Sequence, residues 1–496
     1  MPEGSGRNTA KASESFFELL IARIAIFLFV MGVAVFGGIF SSAVNTQSII
    51  IQVTIICWIL AGPLCRWITG RVDVLDPLAL MCLFGIHYFI FGPIFQLSIS
   101  YWPFLPWTPS VESYVPVWYW WQTGMLALGL VFTKISDALP ERSERPHTAT
   151  ALRLRSLPLY LMIITLAVKI ATIVMLGGFS GIVASYQARI DGGGVSENNT
   201  FAGLGVIVSI GNAFPIAFGY WVLSWARHKR WVGSRRFLIS FSIAVFLITL
   251  VSNGLMGSRA SIVYCVVVVI ALYHFSIKPF KPVLIVGAIV LLFSFSQIYY
   301  AFKFGGLEGI VSGGASSSIL KEREIDSLEN FGLIRDYTRM DVQTLAVYSV
   351  EAGQVPKSWG RSYLGGLAAI VPSAIWPSRM DSFTNEKSSI VYGRENSGKI
   401  TNLVFGGFGE LYVNFGIFSI FACPIIGAML SFMRRLTRRA RQGKNLRAAF
   451  VAPLFAILPV MLLVYDSNSL LYVIISIGVV PFMYFLLSRR ISLAGR

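Results

Sequence analysis

The chain has 496 residues, 55% of them hydrophobic and only 13% charged, with a mean hydropathy of +0.68. A soluble chain carries about a quarter charged residues, so an ordinary soluble enzyme, a disordered protein and a secreted disulfide scaffold are excluded, and an all-α polytopic membrane protein is left. The net charge of +17, from 41 Lys and Arg against 24 Asp and Glu, would suggest nucleic acid in a soluble protein. In a membrane protein it points first to cytoplasmic loops, and no nucleic acid is needed to explain it.

A bilayer core of about 30 Å takes about 20 apolar residues per helix. On that measure the sequence predicts about twelve spans, near 17–39, 47–64, 78–98, 114–133, 157–177, 201–225, 237–255, 260–276, 282–300, 410–432, 448–465 and 469–488. No cleavable signal peptide is evident before the first. Basic residues then set the orientation. They cluster at the N-terminus (Arg7, Lys11), after span two (Arg66, Arg71), after span four (from Lys134 to Arg155), after span six (from Arg227 to Arg236) and after span eight (Lys278, Lys281). The last clusters follow span ten (from Arg434 to Arg447) and the final span. These hold 26 of the 41 basic residues. Lys and Arg are retained on the cytoplasmic side, so both termini are expected there.

The chain thus divides into spans one to nine with short loops (1–300), a large outward, periplasmic loop (301–409), and spans ten to twelve with the C-terminus (410–496). The outward connection after span five, 178–200, contains Arg189, Asp191 and a Gly192-Gly193-Gly194 run. The loop 301–409 holds 11 basic and 11 acidic residues. Its near-neutral balance reads as folded, and loops this long are usually functional.

Within the loop, Leu320 to Glu351 has helix-forming composition. Apolar residues at Ile325, Leu328 and Phe331, then Leu345, Val347 and Val350, suggest an amphipathic helix. Ser362 to Trp376 is apolar but too short to span, which suits an interfacial or re-entrant helix. Gly406 to Gly416, GGFGELYVNFG, leads into span ten and places Glu410 where the loop enters the membrane.

Charged groups within or beside spans are costly and so are candidates for function. Arg189, Arg259, Arg339, Arg361 and Arg379 all lie in outward segments. Arginine presents a fixed fork suited to phosphate oxygens, and several converging on one cavity would form a receptor for a lipid pyrophosphate. The alternative is that they pair with nearby carboxylates and fold the loops. Glu410 and Asp341 are the candidate general bases, with Asp381 beside them. For Glu410 the alternative is a carboxylate at a helix N-terminus. Lys169 and His87 are further polar groups inside spans. The aromatic run from Tyr101 to Trp121 suits a membrane interface, and its rings could also stack on sugars.

The five cysteines lie in or beside apolar runs without a CxxC pair, so neither a disulfide framework nor a zinc site is expected. The sequence has no GxxxxGK[ST] loop and no HExxH, so no ATP motor, metal or other cofactor is expected.

Taken together, GSRAS at 257–261, TRMD at 338–341, GRSYLGGLAAIVPSAIWPSR at 360–379 and FGGFGELYVNFG at 405–416 resemble the Wzy-type family of O-antigen and oligosaccharide repeat-unit polymerases. The resemblance implies a glycosyltransferase-C-like transmembrane architecture and a polymerase on the outer face of the inner membrane. Its substrate would be undecaprenyl-pyrophosphate-linked oligosaccharide, for O-antigen, capsule or exopolysaccharide, and a chain-length regulator could accompany it. A sugar hydroxyl would attack the anomeric carbon while the pyrophosphate lipid leaves, without ATP. Arg189, Arg259, Arg339, Arg361 and Arg379 would contact pyrophosphate or glycan, and Glu410 or Asp341 would be the base. An O-antigen ligase and a lipid-linked oligosaccharide flippase are the rival readings. The ligase should show an outward histidine, and the flippase needs no large outward loop.

Overall fold

The computed structural model describes residues 5–34, 47–99, 102, 107–140, 156–175, 177–178, 181, 205–227, 229–253, 259–288, 290–291, 294–295, 339–371, 375–376, 378, 383–392, 405–442 and 446–494. Among them all regular structure is helical. The N-terminal half contributes α1 (Ser5–Ala34), α2 (Gln47–Ile68), α3 (Pro77–Ile86), α4 (Gly92–Ile99), α5 (Pro109–Glu112), α6 (Val115–Ala138) and α7 (Leu157–Met175). It continues with α8 (Gly205–Asn212), α9 (Phe214–Ala226), α10 (Arg235–Ser252) and α11 (Arg259–Ser276). The long connection supplies α12 (Met340–Glu351), α13 (Arg361–Ala368) and α14 (Thr384–Tyr392). The chain then closes with α15 (Gly406–Phe415), α16 (Cys423–Arg441), α17 (Leu446–Val464) and α18 (Ser467–Ala494).

Among the described residues, eight helical stretches are long and apolar enough to cross a membrane: 47–68, 77–98, 157–175, 205–226, 235–252, 406–441, 447–464 and 467–487. They coincide with the second, third, fifth, sixth, seventh, tenth, eleventh and twelfth expected spans. The architecture is that of an all-helical, multi-pass membrane protein, with eight such stretches where the sequence suggests twelve. Residues 17–34 of the first expected span lie in α1, with 35–39 outside the described residues, and residues 115–133 of the fourth lie in α6, where Gln122, Thr123 and Thr133 are buried. The eighth falls on α11, whose apolar stretch Ser261–Ser276 is shorter than a span. Part of the ninth, and all of the loop from 301 to 338, lies outside the described residues.

Two buried apolar clusters organise the bundle. One joins α2, α3, α6, α12 and α15 around Ile56, Phe89, Trp118, Val347 and Val413. The other joins α9, α10, α11, α17 and α18 around Tyr220, Val245, Val269, Leu454 and Ile477. Without a hydrophobic drive between helices in lipid, close backbone approach at small residues supplies much of the packing. Gly427 of α16 shows how tight it is: a Cβ there would sit 2.6 Å from Phe132 Cβ and 2.7 Å from the Thr133 nitrogen of α6. Gly427→Ala is therefore expected to force the two helices apart, at a cost of about 1–3 kcal/mol. Thermal unfolding in detergent should show the loss, whereas Gly129→Ala on α6, where a Cβ meets nothing within 4 Å, should be neutral or stabilising.

The basic cluster of α16 is not simply solvated. Arg434 is buried. Its Nε donates to Asp76 at 3.1 Å and its Nη1 to Asp137. Asp76 also caps α3, accepting from the Leu78 and Ala79 N–H groups. Arg441 reaches Asp73 at 3.0 Å, and His274 Nε2 meets the same carboxylate at 2.9 Å. Because His274 Nδ1 accepts from the Phe280 N–H, the proton of the neutral ring sits on Nε2 and points at Asp73. Burial pushes the Asp73 carboxyl up, but His274, the Leu75 N–H and Arg441 outweigh it and hold it below the usual carboxylate range.

Candidate functional site

The long connection folds back onto the C-terminal helices, and buried polar groups gather where they meet. α12 begins at Met340, and its sequence pattern suggests an amphipathic helix. Instead, residues 340–347 are all buried, Asp341, Gln343 and Thr344 among them. The helix is encased by α4, α5, α6, α14 and α15, so a polar face that would suit water faces protein instead.

Gln343 shows how those polar groups are satisfied. Its Oε1 accepts from Trp118 Nε1 at 2.9 Å and from Gln122 Nε2 at 2.8 Å. Its Nε2 donates to the Tyr88 hydroxyl at 2.9 Å and to the Phe405 carbonyl at 2.7 Å. The amide thus uses both donors and both lone pairs. Tyr88 passes the chain on to the Leu463 carbonyl at 2.9 Å, and it lies in the π-helical turn His87–Phe91 between α3 and α4. The aromatic run expected at a membrane interface is therefore divided. Trp118, Tyr119 and Trp121 are core residues, and Trp120 is 55% exposed.

Asp341 lies in the first turn of α12, hydrogen-bonded to the Val342 N–H. Burial pushes its carboxyl above the usual range, against the opposing pull of that N–H, the Arg339 charge and the Gln96 side chain. Arg339 is the residue before the helix and acts electrostatically on both Asp341 and Tyr88.

Glu410 occupies the first turn and a half of α15, wholly buried. Two glycines make room for that turn. A Cβ on Gly406, whose φ is +73°, would meet the Leu463 carbonyl at 2.2 Å, and one on Gly407 the Leu462 carbonyl at 2.5 Å. Both oxygens of Glu410 are engaged. Oε1 accepts from the Ser362 hydroxyl at 2.6 Å and the Ser467 hydroxyl at 2.7 Å, and Oε2 accepts from the Ser467 N–H at 2.5 Å. Ser467 is the first residue of α18, so Glu410 sits at a helix N-terminus, but at that of α18 and not only its own. Asp466 completes this end. It accepts from the Ser469 N–H at 3.0 Å and pairs with buried Lys387 of α14 at 3.0 Å. Two carboxylates thus face the unpaired N–H groups and positive dipole end of α18.

Asn414 locks the other side. It donates to Ser362 Oγ at 2.7 Å and to the Glu410 carbonyl at 2.8 Å, and it accepts from the Gly360 N–H at 2.7 Å. The strand of chain leading into α13 therefore docks on the end of α15, with the Trp359 N–H on the Asn414 carbonyl at 3.0 Å. Trp359 takes a φ of +48°, the only non-glycine in the left-handed region among the described residues. Such strain persists where the surroundings over-determine it, as functional sites do. The buried Tyr363 hydroxyl has no hydrogen-bond partner, and burial together with the Glu410 charge pushes it up.

The expected site residues are thus distributed unevenly. Arg339 and Asp341 are brought together, and Arg361 stands exposed next to Ser362. Arg189 and Arg379 lie outside the described residues, and of Arg259 only the backbone, opening α11, is described. Lys169 is buried and donates to Asn212 at 2.7 Å and Asn253 at 3.4 Å. Sequence reasoning missed Gln343, Ser362, Asn414, Asp466 and Lys387. The run Asp466-Ser467-Asn468-Ser469 carries a helix-start signal. Nothing local marks the other four. No protein-family model, no curated protein and no solved structure matches this chain.

Proposed function

We propose that the protein is a polymerase of the Wzy type, joining undecaprenyl-pyrophosphate-linked oligosaccharide repeat units at the outer face of a bacterial inner membrane. The observation that carries this reading is Glu410, a buried carboxylate set where the long connection meets two span-length helices, with two serine hydroxyls on one oxygen. Those hydroxyls stand where an acceptor sugar hydroxyl would donate. In the proposed reaction that hydroxyl loses its proton to the carboxylate and its oxygen bonds to the anomeric carbon. The bond from that carbon to the pyrophosphate oxygen breaks, and the lipid pyrophosphate leaves with the electron pair. Asp341 is the second candidate for the base. On this reading exposed Arg361 and the Arg339 beside Asp341 would meet the pyrophosphate or glycan.

Deletion of the gene followed by a glycan ladder gel tests the reading. The expected result is surface glycan carrying a single repeat unit. Absence of all surface glycan would favour a flippase, and attachment lost from the lipid A core would favour a ligase. An unchanged chain-length distribution would remove the proposal.

A further inference from the structure

The helix that carries Ser362 toward Glu410 has an opposite face, and that face is apolar and uncovered. On α13 the inner residues Ser362, Gly365 and Gly366 are buried. On the outer side Leu364 is 57% and Leu367 60% exposed, followed by Ile370, Ile375 and Trp376, with Trp359 preceding them at 65%. Leu364 and Leu367 are three apart and so share one face of α13, and Ile370 follows in the turn that ends it, its N–H on the Leu367 carbonyl. Arg361 stands, exposed, at the start of this apolar stripe.

What lies on either side of the stripe says what covers it. On one side is α18, a span-length apolar helix from Ser467 onward. A Cβ on Gly366 would come within 3.0 Å of Ser467 Oγ, and the Tyr472 hydroxyl donates to the Ala369 carbonyl at 3.4 Å. α13 therefore runs beside the first turn and a half of α18, about 8 Å along its axis. On the other side is the stretch 406–441, also of span length. Phe415 has its ring 6.3 Å from Trp359 and 6.5 Å from Tyr363. Just beyond it Ile417, Phe418 and Phe421 are 52%, 53% and 74% exposed. The stripe thus lies beside the exposed apolar residues Ile417, Phe418 and Phe421 on one side and the first turns of α18, a span-length helix, on the other.

We infer that α13 is an interfacial membrane helix, with Leu364, Leu367 and Ile370 seated in the outer edge of the bilayer's apolar layer and Arg361 at its headgroup phosphates. Helices of this kind bury their apolar face by about 5–10 Å at the headgroup boundary, a depth that matches the first turns of α18. Arginine and tryptophan are the side chains that anchor such a boundary. A soluble partner is disfavoured because it would have to enter the lipid to reach a surface flanked by two spans. The inference stands independently of the polymerase reading.

The test uses the full chain reconstituted in vesicles of phosphatidylethanolamine and phosphatidylglycerol. Leu364→Cys, Leu367→Cys and, as a water-facing reference on an exposed turn, Gln354→Cys are each spin-labelled. The five native cysteines are buried, and the unsubstituted protein sets the background. Collision with oxygen, which concentrates in lipid, is compared with collision with a water-soluble nickel chelate. Oxygen should exceed nickel several-fold at 364 and 367, and the order should reverse at 354. Nickel dominating at 364 and 367 would overturn the inference by placing the stripe in water. Exclusion of both reagents with an immobilised label would overturn it in favour of a protein partner, a second copy included. A Cys variant that elutes as aggregate is replaced by Ile375→Cys, read in the same way.

Discussion

Replacing Glu410 by glutamine is expected to abolish chain extension, leaving single-repeat glycan, while the protein still accumulates in the membrane. General acid–base groups contribute about 10²–10⁴-fold in rate, so a ladder gel should lose every band above one repeat. Glutamine keeps the shape and one acceptor oxygen. It offers an NH₂ where the carboxylate accepts, and the serine hydroxyls can turn to receive it or the Ser467 N–H is left facing a donor. The stability cost of that mismatch is about 1–3 kcal/mol. Glu410→Ala removes all three acceptor contacts and leaves the N-terminus of α18 with Asp466 alone, so its membrane abundance should fall below that of the glutamine variant. The comparison separates chemistry from architecture. A glutamine variant that accumulates normally and still extends chains would make Glu410 a capping group for α18 and nothing more.

Gln343→Leu is expected to be the most destabilising single substitution among the site residues, by about 3–5 kcal/mol. Leucine approximates the volume but strands the Trp118 N–H, the Gln122 amide and the Phe405 carbonyl in a buried setting, and removes the donor to the Tyr88 hydroxyl, which keeps its bond to the Leu463 carbonyl. Each orphaned group costs about 1–3 kcal/mol, and relaxation keeps the total below their sum. The readout is the fraction of protein remaining monodisperse after heating in detergent. Gln343→Glu keeps the acceptors for Trp118 and Gln122 but sets a carboxyl against the Phe405 carbonyl in a buried setting, so it too is expected to destabilise. If Gln343→Leu matched the wild type, the network joining α3, α6, α12 and α15 would carry no net stability.

Much of the architecture was legible along the chain, because a membrane span is a local property. Eight of the expected spans recur as helices of the right length and apolarity, and about 20 apolar residues in a row need no tertiary context to be recognised. The short apolar run after Arg361 was readable for the same reason: it is too short to cross, and α13 shows it lying against α18. Glu410 was picked out by its charge at an apolar boundary. Asp341 and Arg339 were picked out by theirs.

What the sequence could not supply is which polar groups meet. α12 is patterned like a surface helix, and only the docking of α4, α5, α6, α14 and α15 around it turns its polar face into an interior network. The basic run of α16 marks an orientation by composition, but whether Arg434 is solvated or buried between Asp76 and Asp137 depends on helices separated from it by about 300 residues or more. Glu410 could be read in the sequence as the N-terminal carboxylate of its own helix. Tertiary structure placed it at the start of α18 as well, 57 residues further on. Hydrophobicity is written locally and so decided the spans. Hydrogen bonds join partners that the chain brings together only on folding, so they decided the site.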